Sequence, residues 1–388
     1  MNPYIVMAAL FAVVAGLEAA DAALIHANLL APITGLRWLR VHFITLGMAT
    51  EVVFGLLPLI VARPARPRPN WRTWALLNAG LIALIAGIPL TNAAMVYTGG
   101  TLITLATISL FTELSAVSAT ATPGAPMTGR WFYLAGLAFF LVGITIGTGL
   151  FFDWARWLHI KTPLEAHIHA NNWGLMSLVF AGLLVDLYPR WAGRPLAWPG
   201  AIRPTFWLMT LGALGLVVGP WIGSLWVIVP GLLMHLAATL WLLANAVVPL
   251  RGNRILREPG IWHLFSGYIW ILAPVIVAPL LILGVPGFPA GTVEGNAPQA
   301  LVYGWLMLVV FALLPFAART ALGQADATLG GSWLSLAATH LGCLLLWVGI
   351  FAGAAALPMW HAAAYTLWAF ALIPPTAQLW RIIASAEE

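Results

Sequence analysis

Residues 130–152 read RWFYLAGLAFFLVGITIGTGLFF, an apolar run whose only charged side chain, Arg130, stands at its beginning. A helix of about 20 apolar residues is long enough to cross the ~30 Å hydrocarbon core of a bilayer. Similar runs recur along the chain, which is 62% hydrophobic and 7% charged, with a mean hydropathy of +0.94. A soluble domain is about 25% charged. The composition therefore predicts an all-α, polytopic transmembrane bundle.

The breaks between apolar runs predict about twelve spans in a single transmembrane domain covering residues 1–388. The first run carries Glu18 and Asp21, lacks a basic leader and is too long for the apolar part of a signal peptide, so it is taken as a span. The only cysteine, Cys343, excludes a disulfide framework. The approximate spans are 3–26, 37–62, 72–90, 92–119, 130–152, 163–187, 203–222, 225–248, 260–284, 297–318, 331–354 and 358–382.

The basic residues predict the orientation of these spans, because cytoplasmic loops of membrane proteins carry an excess of Lys and Arg. With twelve spans, both termini share one side with thirteen of the 17 basic residues. That side has Arg63, Arg66, Arg68, Arg72, Arg130, Arg190, Arg194, Arg203, Arg251, Arg254, Arg257, Arg319 and Arg381. The other side has Arg37, Arg40, Arg156 and Lys161. We therefore expect a multi-pass protein of the cell (cytoplasmic or inner) membrane with both termini cytoplasmic, surrounded by lipid and binding no nucleic acid.

Spans 1–2 and 5–6 share a pattern that predicts an internal helical-hairpin repeat. Their first helices carry a Gly-Leu pair and then a histidine at equal spacing, in Gly16-Leu17 with His26 and in Gly149-Leu150 with His159. Their second helices read His-x4-Gly-x7-Gly, then Leu-Leu and a proline: His42, Gly47, Gly55 and Pro58, and His169, Gly174, Gly182 and Pro189. Repeats in membrane proteins often form a shared site. The alternative is that the glycines only allow close helix packing.

The nine histidines differ in predicted depth. A group on the outer side comprises His26, His42, His159, His167, His169 and His361. Taken singly, His235, His263, His340 and His361 fit a hydrogen-bonded packing or interface role. For His26 and His159, an interfacial role and a functional role both stay open.

His167 and His169 are two residues apart, so on a helix their imidazoles point about 200° apart. They are poorly placed to bind one metal ion together, but each can reach a different neighbour. Neutral imidazole is the usual axial ligand of haem iron. The repeat pairs His42 with His169 as the expected ligands of one haem, and His167 is the candidate ligand of a second.

Four glycines on the two repeat helices are expected to leave room for a flat macrocycle: Gly47, Gly55, Gly174 and Gly182. Three histidines are weaker candidates as metal ligands: His26, His159 and His235.

The segment from His167 to Gly182, HIHANNWGLMSLVFAG, followed by Leu187-Tyr188-Pro189, resembles the His-x-His helix of haem–copper oxidase catalytic subunits. The likeness is strongest to cytochrome-c-accepting oxidases and nitric oxide reductases. In that family the first histidine ligates the high-spin haem and the second ligates the low-spin haem. The other low-spin ligand lies near the outer end of the second span, a position that His42 matches.

The resemblance implies one or two b haems and a role in respiratory electron transfer or in the reduction or handling of O2 or NO. If the protein is an enzyme, it would be an oxidoreductase of this type. The resemblance also implies a small cytochrome or cupredoxin as electron donor, or a partner subunit.

The chain departs from the family in several respects. The His-x-His helix is the sixth span here but the tenth in the family. The copper or non-haem iron site of the family needs an adjacent His-His pair, which this sequence lacks, so copper stays undecided. The active-site tyrosine of the oxidases has no assignable counterpart in this chain, and Tyr268 does not qualify as one. The NnrS-like twelve-span membrane haem proteins are the nearer analogy.

Glu51 and Asp186 lie within the two repeat helices, toward the predicted cytoplasmic half, and are candidates for a proton relay. The alternative is a neutral acid hydrogen-bonded between helices.

Two other functions also stay open: a twelve-span secondary transporter, and a copper-handling protein that uses the outer-side histidines. Glycine-rich phosphate loops, zinc spacings and hydrolase triads are absent from the sequence.

Overall fold

A computed structural model describes residues 2–33, 35–61, 68–117, 128–324 and 327–385. Within these residues the fold is entirely helical, with 83% helix and no strands. Arg63 and Arg66, which the charge distribution assigns to the cytoplasmic side, lie outside the described residues. The last residues of the predicted spans 37–62 and 92–119 also lie outside them. The predicted fold class, all-α, is confirmed.

The helices follow one another closely along the chain. The α-helices are α1 (Pro3–His26), α2 (Leu36–His42), α3 (Thr50–Val61), α4 (Trp71–Gly87), α5 (Ala93–Ala116), α6 (Arg130–Phe151), α7 (Ala155–Leu158), α8 (Pro163–His169), α9 (Ser177–Ala192), α10 (Ile202–Ile222), α11 (Leu225–Val247), α12 (Pro259–Ser266), α13 (Tyr268–Ile282), α14 (Ala290–Leu301), α15 (Met307–Ala321), α16 (Trp333–Ala352), α17 (Leu357–Ala371) and α18 (Ile373–Ala384). Three π-helical segments are π1 (Phe43–Ala49), π2 (Ala170–Met176) and π3 (Val302–Leu306). Short 3-10 turns cover Pro199–Ala201, Val248–Leu250 and Arg254–Arg257.

Ten helices of the described chain are long and apolar enough to cross a membrane. Several are continuous rods made of consecutive segments, such as Pro163–Ala192 and Ala290–Ala321. Two of the twelve predicted spans fall on shorter elements. The span 72–90 corresponds to α4, which has 17 residues, and the span 358–382 corresponds to α17 and α18, separated at Leu372. The count of twelve and the side of the termini stay predictions.

The chain divides into two compact units, and the division falls inside α3. The first unit comprises Met1–Leu56 and Leu256–Glu388, and the second comprises Leu57–Ile255. His42 therefore belongs to the first unit, and His167 and His169 belong to the second. The single transmembrane domain over residues 1–388 stays a prediction.

Each π segment carries a glycine that packs against an aromatic ring of the preceding span. A Cβ added at Gly47 would lie 2.6 Å from Phe11 Cγ, and one at Gly174 would lie 2.5 Å from Phe139 Cβ. In π3, a Cβ on Gly304 would lie 2.5 Å from Trp270. A π segment inserts a wider turn into an α-helix, often at functional positions. These shared details are those that a repeated hairpin predicts, and they occur three times rather than twice.

The third hairpin, built from α13, α14, π3 and α15, also has a sequence signature. Residues 309–315 read VVFALLP, and residues 52–58 read VVFGLLP. The same helix of the second unit reads VFAGLL over residues 179–184. Five residues before the glycine of each π segment stand His42, His169 and Gln299. Two copies therefore carry a histidine where the third carries an amide.

Asp186 joins α9 to the beginning of α6 within the second unit. Its carboxylate accepts hydrogen bonds from the Gly129 N–H, at 2.7 Å, and from the Tyr133 hydroxyl, at 2.8 Å. The N–H groups at the start of a helix have no partner within the helix, so a carboxylate stabilises them there. This carboxylate therefore has a structural role, whatever its part in proton transfer.

Asp186→Ala is expected to lower the free energy of unfolding by about 1–3 kcal/mol, because the Tyr133 hydroxyl, which is fully buried, and the Gly129 N–H lose their acceptor. Thermal unfolding of the detergent-purified protein, followed by tryptophan fluorescence, measures the change. Asp153 is exposed, so Asp153→Asn serves as the control. Equal unfolding temperatures for the two variants would contradict this role.

Candidate functional site

His42 is the last residue of α2, directly before π1. Its ring stacks on that of Trp38, with ring centres 3.8 Å apart and an interplanar angle of 17°. Its Nδ1 donates a hydrogen bond to the Trp38 carbonyl oxygen at 2.7 Å. The stacking and the hydrogen bond together hold the imidazole in one orientation on its own helix.

Arg40, one turn away from the beginning of α2, ties this helix to α1. Its Nη2 donates to Asp21 Oδ2 at 2.8 Å, and its Nε lies 4.0 Å from Glu18 Oε2. The guanidinium is buried, and an intramembrane charge is tolerated when a partner of opposite sign is close. The two acidic residues of the first span are thereby explained as counter-ions that fix α2, and His42 with it.

His167 lies against α6 in the second unit. Its Nδ1 donates to the Gly143 carbonyl oxygen at 2.9 Å. A Cβ added at Gly147 would lie 2.6 Å from His167 Cε1, and one at Gly143 would lie 2.5 Å from the Asn171 side chain. Gly147 therefore leaves room for the His167 ring, and Gly143 leaves room for the Asn171 side chain. The sequence contains this signal, although we read its glycines only as part of a span.

His169 is the last residue of α8, directly before π2. Its Nδ1 donates to the Leu216 carbonyl oxygen of α10 at 2.6 Å, and its ring meets Trp173 edge to face, with ring centres 5.1 Å apart. In an α-helix the Leu216 carbonyl would accept from residue 220, but Pro220 has no N–H. The proline thus leaves an acceptor available, and His169 uses it.

The partners of these three rings decide their tautomer. A carbonyl oxygen can only accept a hydrogen bond, so Nδ1 must carry the proton in His42, His167 and His169. In the neutral ring Nε2 then bears the lone pair. Histidines that ligate metals usually donate their other ring N–H to a carbonyl or carboxylate. All three therefore have the form of an Nε2 ligand.

His235 uses both of its ring nitrogens for internal hydrogen bonds. Its Nε2 donates to the Trp173 carbonyl oxygen at 3.2 Å, and its Nδ1 lies 3.3 Å from the Thr239 hydroxyl. The residue is almost fully buried. These contacts favour packing over metal ligation for His235, one of the weaker ligand candidates.

His263 and His340 likewise have partners on both ring nitrogens. His263 Nδ1 donates to the Pro259 carbonyl oxygen, and its Nε2 lies 2.9 Å from Ser335 Oγ. His340 accepts from Trp270 Nε1 at Nδ1, and its Nε2 lies 2.8 Å from Ser266 Oγ. These bonds are those expected of histidines that connect helices.

The other outer-side histidines lie in different surroundings. His26, at the end of α1, meets His361 of α17 with ring centres 4.7 Å apart. His159 follows α7 in the left-handed conformation, with φ 54°. The structure thus brings together His26 and His361, which the sequence had not paired. The pairing of His42 with His169 stays a prediction, because these residues belong to different units.

The interpretation of the repeat glycines as space for a macrocycle is wrong. Aromatic residues of the preceding span already fill the space beside Gly47 and Gly174, as described above. Likewise, a Cβ on Gly55 would lie 2.8 Å from Tyr4 Cβ, and one on Gly182 would lie 2.5 Å from Tyr133 Cε1. Close helix packing, the alternative considered from sequence, accounts for them.

Of the two carboxylates proposed for proton transfer, Glu51 is completely buried in the first unit. Asp186 is half-buried and accepts the two hydrogen bonds described above. Among the described residues, no three His, Cys, Asp or Glu side chains form a metal-binding group.

A scan against protein-family models finds no match to this chain, and a search of curated proteins finds none either.

Proposed function

We propose that the chain is a multi-pass membrane protein that binds haem b through His42 and His169 and acts in respiratory electron transfer. In this proposal it crosses the cytoplasmic membrane about twelve times, with both termini cytoplasmic. The observation that carries the proposal is the tautomer of the two imidazoles. Each Nδ1–H is held by a backbone carbonyl, so each Nε2 has the lone pair that haem iron requires.

The residues around both histidines fit this role. The Trp38 ring fixes His42, and the Arg40–Asp21 ion pair fixes the helix that carries it. The Leu216 carbonyl and the Trp173 ring fix His169. Packing and hydrogen bonds of this kind hold a functional side chain near its productive geometry. The repeat glycines give no support, since aromatic rings occupy the space beside them.

Two protein ligands on one iron also restrict the chemistry. Such a haem would supply one-electron transfer, and His42 and His169 together would leave O2 and NO no place to bind. Handling of a gas would need a second haem, for which His167 is the candidate ligand because its Nδ1–H is also held by a carbonyl. The electron donor in this proposal is a small cytochrome, a cupredoxin or a partner subunit.

The proposal is tested on the full-length protein purified in detergent. A reduced-minus-oxidised spectrum, a pyridine haemochrome assay and metal analysis together give the type and number of haems and the copper content. We expect about one haem b per chain, or two if His167 is also a ligand. Protein without a Soret band, but active in substrate counterflow after reconstitution in liposomes, would favour the transporter alternative and contradict the proposal.

Pro220→Ala is expected to raise the midpoint potential of the haem. The backbone N–H that this substitution introduces competes with His169 for the Leu216 carbonyl, which weakens the Nδ1–H bond and makes the ligand less basic. A loss of roughly 0.5–1 kcal/mol corresponds to about 20–40 mV for one electron. Redox titration in the visible spectrum measures the potential.

Pro230→Ala is the matched control for this experiment. Pro230 also lies inside a helix of the second unit, α11, but no histidine among the described residues donates to the carbonyl that it leaves available. Its potential should equal that of the wild type. If both variants shift the potential equally, the effect comes from helix distortion and not from the His169 hydrogen bond.

A further inference from the structure

Two imidazoles of the first unit meet outside the predicted haem ligands. His26 ends α1, and His361 lies in the first turns of α17. Their ring centres are 4.7 Å apart, and their planes are nearly perpendicular at 85°. His361 is buried, with 4% of its surface exposed, while His26 is half-buried. His26 is therefore the more accessible of the two rings.

The separation of the rings matches two imidazoles that ligate one metal ion. A metal–nitrogen bond of about 2.0 Å puts each ring centre about 3.2 Å from the ion, so ring centres 4.7 Å apart correspond to an N–metal–N angle of roughly 95°. Copper(II) prefers a square-planar or tetragonal arrangement, in which neighbouring ligands are about 90° apart.

Oxygen donors lie beside the pair. The ring of Tyr365 stacks on His26, with ring centres 5.7 Å apart, and its hydroxyl donates to the amide oxygen of Gln299. Gln299 stands at the position that His42 and His169 occupy in the other two hairpins. Tyr303 and Trp368 pack against Tyr365 and are fully buried. The third hairpin thus offers phenol and amide oxygens where the other two offer an imidazole.

We propose that His26 and His361 form a binding site for one divalent transition-metal ion of the copper(II) type, beside Tyr365 and Gln299. The site is separate from the histidines assigned to haem and is independent of that assignment. Two imidazoles are a small protein ligand set, so the remaining positions are filled by water or by the neighbouring oxygens. Such a site exchanges its ion readily.

The test is a Cu2+ titration of the tag-free, full-length protein in detergent, read by electron paramagnetic resonance. The wild type should bind one Cu2+ with hyperfine coupling to two nitrogens. His26→Gln and His361→Gln should each weaken Cu2+ binding strongly. The loss should exceed the roughly 10- to 100-fold decrease in affinity that follows when a metal ligand loses its hydrogen-bond partner. His159→Asn is the matched control, because asparagine tolerates the left-handed backbone of that residue.

A second measurement needs no substitution. Zn2+ added to the wild type should slow the modification of His26 by diethylpyrocarbonate, as measured by peptide mass spectrometry, and should leave that of His159 unchanged. Binding of Cu2+ that is equal in the wild type and both glutamine variants overturns the proposal, as does the absence of Zn2+ protection at His26. The haem spectrum of the glutamine variants should match that of the wild type, which separates this outcome from a failure of the haem assignment.

Discussion

His169→Ala is expected to remove the low-spin haem spectrum of the purified protein. The substitution deletes a proposed iron ligand whose Nδ1–H is held by the Leu216 carbonyl. No other imidazole of α8 points in the same direction, because His167 lies on another face of the helix. The loss should exceed the roughly 10- to 100-fold effect of removing an outer-shell partner. His42→Ala should give the same result. The Soret absorbance per protein measures it.

Two controls separate loss of a ligand from loss of the fold. His340→Gln changes a histidine whose nitrogens both have internal partners, so its haem content should equal that of the wild type. Free imidazole should restore a low-spin spectrum to the alanine variants, because it can occupy the space of the missing ring. Alanine variants that keep the wild-type Soret band would exclude these two residues as ligands.

Gly174→Ala and Gly47→Ala are each expected to destabilise the protein. Each new Cβ would approach an aromatic side chain of the preceding span at 2.5–2.6 Å, a distance at which something must move. At Gly174 the nearest atom is Phe139 Cβ, which is fixed to its backbone, so the helices themselves must separate. Overpacking of this kind costs about 1–3 kcal/mol. Thermal unfolding in detergent measures the decrease.

Gly200→Ala is the control, because nothing lies within 4 Å of its added Cβ, and its stability should equal that of the wild type. The haem content of the folded fraction distinguishes two explanations. If the glycines serve helix packing, both variants lose stability while the folded protein keeps its haem. Loss of haem without loss of stability would restore the macrocycle interpretation that the structure contradicts.

The ten helices that are able to cross a membrane were predictable, because length and hydropathy alone determine whether a helix can do so. The π segments were not, since a single wider turn changes neither the composition nor the length of an apolar run. Residues 43–49 and 170–176 contain no proline, and their glycines, Gly47 and Gly174, are equally compatible with a regular helix that packs closely in a membrane. The histidines directly before them were visible in the sequence, but the irregular helix that follows each one was not.

The third hairpin could have been found in the sequence. Residues 52–58 and 309–315 differ at only one position, Gly55 against Ala312. Histidines mark the repeat in the first two hairpins, whereas the third copy has Gln299 in that place. A comparison of the apolar residues, which carry the packing between helices, would have detected it.

The histidines were predictable as candidates, but their hydrogen bonds were not. His169 donates to the backbone oxygen of Leu216, and His167 donates to that of Gly143. Every residue type has a backbone oxygen, so the sequence does not reveal these acceptors. Pro220 is the exception, since a proline within a helix shows that one carbonyl lacks its usual partner. The His26–His361 pair joins residues far apart in the chain, and no local pattern encodes such a contact.

The central claim is that His42 and His169 are the two ligands of one haem. The electron paramagnetic resonance spectrum of the oxidised, purified protein tests it most directly, because it reports the axial ligands of ferric haem. The account predicts a low-spin signal of bis-imidazole type that disappears in both His42→Ala and His169→Ala. A purely high-spin signal in the wild type, or a low-spin signal that survives either substitution, would contradict it.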